Sequence, residues 1–161
     1  MNLIEDYYKL PFEDRDYFLI TIEFEEIEEK WYLFLDILDN PDFSDPNYDL
    51  VAIRVLKILE IAKVPNTLEE SFINVFSKII KTSSDDDIRN YVIIASKKFI
   101  EHKDLQETII DFLNTETENP ILKYNALNAL GQIKTLTERR EILKIFEKDK
   151  DIGKYVSGYI Q

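Results

Sequence analysis

The 161-residue chain has no cysteine, one histidine, three glycines, and 20 basic side chains against 32 acidic ones. Each shortage removes a class of chemistry. Without cysteine there is no disulfide, no thiol nucleophile and no zinc–thiolate site, which fits a reducing, cytoplasmic setting. His102 alone cannot supply a multi-histidine metal site. Gly131, Gly153 and Gly158 are too few for a phosphate-cradling loop, and neither a GxGxxG nor a Walker motif can be written. Apolar runs such as Phe18 to Ile20 and Tyr91 to Ala95 fall far below the ~18 residues of a membrane span. The opening MNLIEDYY lacks a basic region before an apolar core, so no secretory leader is expected. A net charge of −12 repels phosphate backbones, so nucleic-acid binding is not expected either.

What is present is a globular composition with a charge asymmetry. Apolar residues make up 45%, too many for a disordered chain, and the length suits a single domain over residues 1–161. Residues 1–46 hold 14 acidic and 3 basic side chains, a net of −11, whereas residues 47–161 hold 18 and 17, a net of −1. Such an imbalance between segments often reports on a partner.

Helical periodicity dominates residues 47–161. The run YDLVAIRVLKILEIA (48–62) has a broad apolar face, the mark of a helix buried on more than one side. Val64-Pro65-Asn66 breaks it, and Thr67-Leu68-Glu69-Glu70 reads as a capping box ahead of Phe72, Ile73, Phe76, Ile79 and Ile80. Ser84-Asp85-Asp86-Asp87 is a cap and a favourable partner for a helix dipole, rather than a cation site, before Ile88, Tyr91, Val92, Ala95 and Phe99. Leu105 to Leu113 predicts a short amphipathic helix, Asn119-Pro120 opens another, Thr137 to Phe146 one more, and a last begins near Asp151.

These helices form pairs that resemble each other. NPILKYNALNALGQI (119–133) overlays DDDIRNYVIIASKKF (85–99) at an offset of 34, setting Leu122 on Ile88, Lys123 on Arg89, Ala126 on Val92 and Ala129 on Ala95. The terminal Asp151-Ile152-Gly153-Lys154 sets Ile152 on Leu122 at an offset of 30, and Leu50 precedes Ile88 by 38. A period of helix pairs in this range predicts an all-α, right-handed solenoid of about three to four hairpins. The carriers Asp87-Ile88-Arg89, Pro120 with Leu122-Lys123, and Ala126, Ala129, Leu130 and Gly131 resemble the HEAT-like repeat of the PBS-lyase type. The small positions of the middle repeat hold Val92 and Ser96 instead, and a TPR-like pairing stays open. The resemblance implies a scaffold or binding surface rather than chemistry.

In the acidic segment, Ile20, Phe24, Ile27, Trp31, Phe34 and Leu38 lie along one helical stripe, with Glu23, Glu25, Glu26, Glu28 and Glu29 around it. One long helix or a pair with a turn near Glu25 would fit. FLITIEF (18–24) is also compatible with a short strand, although helix is favoured by the good helix formers Glu and Leu. The loop Asp39 to Asn47 fails as an EF-hand for want of glycine and glutamate at the required positions. It reads as a surface connection with helix-capping aspartates.

No catalytic constellation stands out, and no catalytic, cofactor or metal residue is expected. Carboxylates are too many for one pair to be singled out, His102 sits in a turn beside Lys103 and Asp104, and Ser83 and Ser84 look like caps. Tyr7, Tyr8, Tyr17, Tyr32 and Tyr48 lie near the acidic segment, where tyrosines and carboxylates together suit protein binding. The expectation is a non-enzymatic module that binds a basic protein through Glu25, Glu28, Glu29, Asp36, Asp39, Asp42 and Asp45. Glu70, Asn74, Glu107 and Asp111, on the second helices of their pairs, come next. In size and acidity, though not in motif, the chain is similar to bacterial immunity proteins that inhibit a nuclease-type toxin. The alternatives are a structural or regulatory scaffold whose acidity serves solubility, and a HEAT-like nucleic-acid repair enzyme, which would need a basic groove that this chain lacks.

Overall fold

The structure, a computed structural model, describes residues 2–115 and 119–161. Among them it is all-helical, with no strand. The chain separates into two compact units, residues 1–75 and 76–161. The division falls inside a helix rather than near residue 46, where the charge balance changes.

The first unit contains α1 (Leu3–Lys9), α2 (Phe12–Ile22), α3 (Glu29–Asp39), α4 (Tyr48–Ile61) and the first half of α5 (Glu69–Thr82). Packing joins α1 to α3, α2 to α4, and α3 to α4. The core is Leu3, Tyr7, Leu19, Ile22, Leu33, Phe34, Ile37 and Leu38, with both flanks of α4: Val51, Ala52, Val55, Leu56, Ile58 and Leu59. The broad apolar face of 48–62 is thus buried on two sides, although Leu50 and Ile61 point outward. A 3-10 turn, Asn66–Leu68, leads into α5, so Thr67 lies inside that turn.

Of the two arrangements open for this segment, the helix pair with a turn near Glu25 is the one that forms, and the single stripe from Ile20 to Leu38 does not. The chain turns between α2 and α3, leaving Ile20 and Phe24 exposed while Leu19 and Ile22 turn inward. Two physical reasons converge. A continuous helix would stack Glu25 on Glu29 at i, i+4, a like-charge pair that destabilises it. Lys30, nearly buried, instead reaches back and donates to the carbonyls of Glu23 (2.8 Å) and Glu25 (2.7 Å). These carbonyls lie at the negative C-terminal end of α2, where a cation is stabilising.

The second unit contains the rest of α5, α6 (Asp86–Ala95), α7 (Lys103–Asn114), α8 (Pro120–Leu130), α9 (Leu136–Leu143) and α10 (Gly153–Ile160). Two of its helices, α6 and α8, have the side-chain caps read from the local sequence, whereas α7, α9 and α10 have none. The Asp85 side chain accepts the Ile88 N–H at 2.9 Å, and that of Asn119 accepts the Ile121 N–H at 3.1 Å, with Pro120 in the first turn. Packing joins α6 to α8, α7 to α8, α8 to α9 and α9 to α10. Several polar contacts join residues 33 to 35 apart: Asn125 Nδ2 donates to Asn90 Oδ1 at 2.6 Å, Lys103 pairs with Glu138, and the Lys134 N–H donates to Glu101 Oε1 at 2.8 Å. Gly131 closes α8 where a Cβ would stand 2.3 Å from the Tyr159 ring, so this glycine is required by space.

Each unit also contains one clasp of the same design. Arg15, the fourth residue of α2, bonds Asp42 and Asp45 in the loop before α4. Lys123, the fourth residue of α8, bonds Asp149 (2.8 Å) and Asp151 (3.3 Å) in the loop before α10.

Candidate functional site: an acidic hairpin tip

The charge asymmetry sharpens once it is divided by unit. Residues 1–75 hold 18 acidic and 6 basic side chains, a net of −12, and residues 76–161 hold 14 of each. The whole imbalance therefore belongs to the first unit.

Within that unit the carboxylates divide into those used by the fold and those left to solvent. Arg15 Nη1 donates to Asp42 Oδ2 (2.9 Å) and Asp45 Oδ2 (3.2 Å), while Nη2 reaches the Tyr8 carbonyl (3.4 Å). Its guanidinium lies 4.7 to 5.3 Å from the ring centroids of Phe12, Tyr7 and Tyr8. Burial alone would lower the Arg15 pKa, but the hydrogen bond with Asp42 and the nearby charges reverse this and raise it. Hydrogen bonds from Ser44 and then Arg15 hold Asp42 below the usual carboxylate range. Asp45 has 1% of its side chain exposed, and its second oxygen accepts the Asn47 N–H at 2.8 Å. Asp36 accepts from the Tyr8 hydroxyl (2.7 Å) and the Asn40 amide (2.9 Å). Burial, ahead of the bond to Asp36, pushes the Tyr8 hydroxyl pKa upward. Tyr48 donates to the Ile37 carbonyl (3.0 Å), and burial pushes its hydroxyl up to about 12. Asp16 is taken by Arg54 at 2.8 Å.

Asp42 and Asp45 thus serve Arg15 rather than capping a helix, since Asn47 caps α4 without a side-chain bond. Asp45 in particular is sealed from a partner. Asp39, at the end of α3, is exposed.

Exposed carboxylates occur along the whole unit, among them Glu5, Asp6, Glu13, Asp14 and Asp49, but their densest run in sequence is the turn between α2 and α3. Glu25, Glu26, Glu28 and Glu29 are exposed there, with Glu23 half-buried. Next to them in sequence, between Glu23 and Glu25, is Phe24, 86% exposed. Lys30, the basic residue of this segment, is turned inward onto carbonyl oxygens and lies over Trp31 at 5.0 Å, so it does not neutralise the outer face. The result is a turn, held by Lys30, whose exposed residues are an aromatic side chain and four glutamates. Tyr17 and Tyr32 are also exposed on α2 and α3, whereas Tyr7 is buried.

The remaining candidates lie elsewhere. Glu70 and Asn74 are exposed one turn apart on α5, and Glu107 and Asp111 are exposed one turn apart on α7, in the second unit. His102 is exposed at the N-cap of α7. Among the described residues no group of three or more His, Cys, Asp or Glu could hold a metal ion, and no helix is long and apolar enough to cross a membrane.

Sequence reasoning missed Phe24 as a surface residue, because its position on a helical stripe pointed inward. It also missed Arg15 and Lys30. Their rarity was the available signal: of three cations among 14 carboxylates in residues 1–46, Arg15 and Lys30 are drawn into the fold and Lys9 stays at the surface. Comparison with protein-family models, curated proteins and solved structures finds no match.

Proposed function

We propose that this chain is a non-enzymatic binding module of the cytoplasm whose acidic hairpin tip docks a basic protein. One observation carries the reading: an 86%-exposed phenylalanine lies in the same turn as four exposed glutamates, and the local lysine is turned inward. Carboxylates steer a cationic partner, and an exposed aromatic supplies the anchor that charge alone does not. The partner class that fits best is a nuclease-type toxin domain, whose phosphate-binding face is basic, and the chain would then act as its immunity protein. The supporting surface is Glu25, Glu28, Glu29 and Phe24, with Asp39 at the far end of α3.

A HEAT-like array is the architecture proposed to carry this tip. Three features support it: helices pack onto the next but one, polar contacts join residues 33 to 35 apart in the second unit, and the cation–diaspartate clasp recurs. Stacked repeats bring equivalent positions together in this way.

The test is capture of a basic partner from a lysate, or of candidate nuclease toxins, by wild type and by an E25K/E28K/E29K variant. Wild-type affinity should fall at least roughly tenfold from low to high salt, and charge reversal should abolish capture. Binding that is indifferent to both would sink the electrostatic reading. It would leave the second reading, a scaffold whose acidity serves only solubility.

A further inference from the structure

A second surface lies in the other unit and has the opposite character. The start of α8 and the start of α10 flank an open cleft of about 400 Å³. Ile121, 61% exposed, forms one apolar wall. Tyr124 and Tyr155 form another, as an edge-to-face pair with centroids 5.2 Å apart and planes at 82°. Lys150 and Lys154 also line it, with the Lys154 ammonium 4.9 Å from the Tyr155 centroid. Among the described lining residues the carboxylate is Asp151, which bonds Lys123 at 3.3 Å. The cleft therefore combines exposed aromatic side chains with two exposed lysines.

We propose that this cleft binds an acidic peptide segment of another protein that carries an aromatic side chain. The ring would lie against Ile121 and the tyrosine pair, since edge-to-face packing suits a third aromatic there. Flanking carboxylates would meet Lys150 and Lys154 over low-dielectric walls, where ion pairs strengthen. The chemistry is complementary to that of the acidic tip and independent of it, so the two surfaces can engage different partners.

The experiment uses the full chain and a fluorescent acetylated pentapeptide, Glu-Glu-Phe-Glu-Glu-amide, titrated by anisotropy at low salt. Binding should be measurable and should weaken at least roughly tenfold in a K150E/K154E variant. Both lysines are exposed, so the variant should keep the wild-type circular dichroism spectrum. Replacing the peptide phenylalanine with alanine should weaken binding by roughly threefold to tenfold, the worth of one aromatic contact. A lysine-for-glutamate peptide should not bind. Equal binding by wild type and K150E/K154E, or no binding by wild type, overturns the proposal. Sedimentation velocity supplies the remaining arm. Self-association that disappears in K150E/K154E would assign the cleft to a second copy of this chain and overturn a separate partner.

Discussion

Replacing Arg15 with methionine tests how the acidic unit is held together. The guanidinium is enclosed by Phe12, Tyr7 and Tyr8 and bonds two aspartates and a carbonyl. Methionine fills much of the same space but leaves the Asp45 carboxylate buried without its cation. Breaking a buried pair from one side costs about 3–5 kcal/mol. Here Asn47 still donates to Asp45, and Asp42, with 28% of its side chain exposed, can rehydrate, which places the expectation near the lower end, about 3 kcal/mol. With a urea slope of about 2 kcal/mol/M, the midpoint should fall by about 1.5 M. Asp45→Asn alone should cost about 2 kcal/mol, and R15M/D45N should lose at least about 1 kcal/mol less than the two single variants added together. Trp31 is the sole tryptophan and lies in α3, so its fluorescence during urea unfolding reports on this unit. An R15M midpoint shift under about 0.5 M, or strictly additive variants, would refute the account of Arg15 as the clasp of the acidic unit.

Three further outcomes are expected. Gly131→Ala should destabilise the second unit by about 1–3 kcal/mol, because its Cβ would collide with the Tyr159 ring, while Gly158→Ala, with open space around it, should stabilise α10 by about 0.5–1 kcal/mol; thermal melts that move in the same direction for both would contradict the packing around α10. Asp42 is held low by Ser44 and Arg15; at Asp149 burial acts upward, but Lys123 and the N–H groups of Asp151 and Ile152 outweigh it. The unfolded chain therefore takes up these protons first, so stability should be complete above about pH 5 and be lost as pH falls below about 4 toward the depressed folded values; a melting temperature unchanged between pH 6 and pH 3 would count against both clasps. Phe24→Ala should leave stability within about 0.5 kcal/mol of wild type, as befits a surface side chain, while weakening partner capture; a large loss of stability would mean that Phe24 is a core residue.

Much of the fold was legible in the sequence because its signals are local. Asp85 and Asn119-Pro120 cap helices within three residues of themselves, and the apolar spacing of 48–62 and 105–113 sets their buried faces without reference to the rest of the chain. The 34-residue offset between 85–99 and 119–133 is a property of the sequence alone, and Asn90 and Asn125, almost that distance apart, meet in space. Phe18 to Phe24 was ambiguous between helix and strand, since β-branched residues and helix formers alternate there; the chain is helical through Ile22. Tertiary structure alone decided which charges are free. Nothing local marks Asp45 as buried and Glu25 as exposed, because the partner that separates them, Arg15, is 30 residues from Asp45 and is delivered by the packing of α2 on α4. The same holds for Lys30, which is turned inward beside a turn that exposes Phe24 and four glutamates. Periodicity and caps act over one helical turn and are written in the chain, whereas the fate of a carboxylate depends on which helix is folded against it.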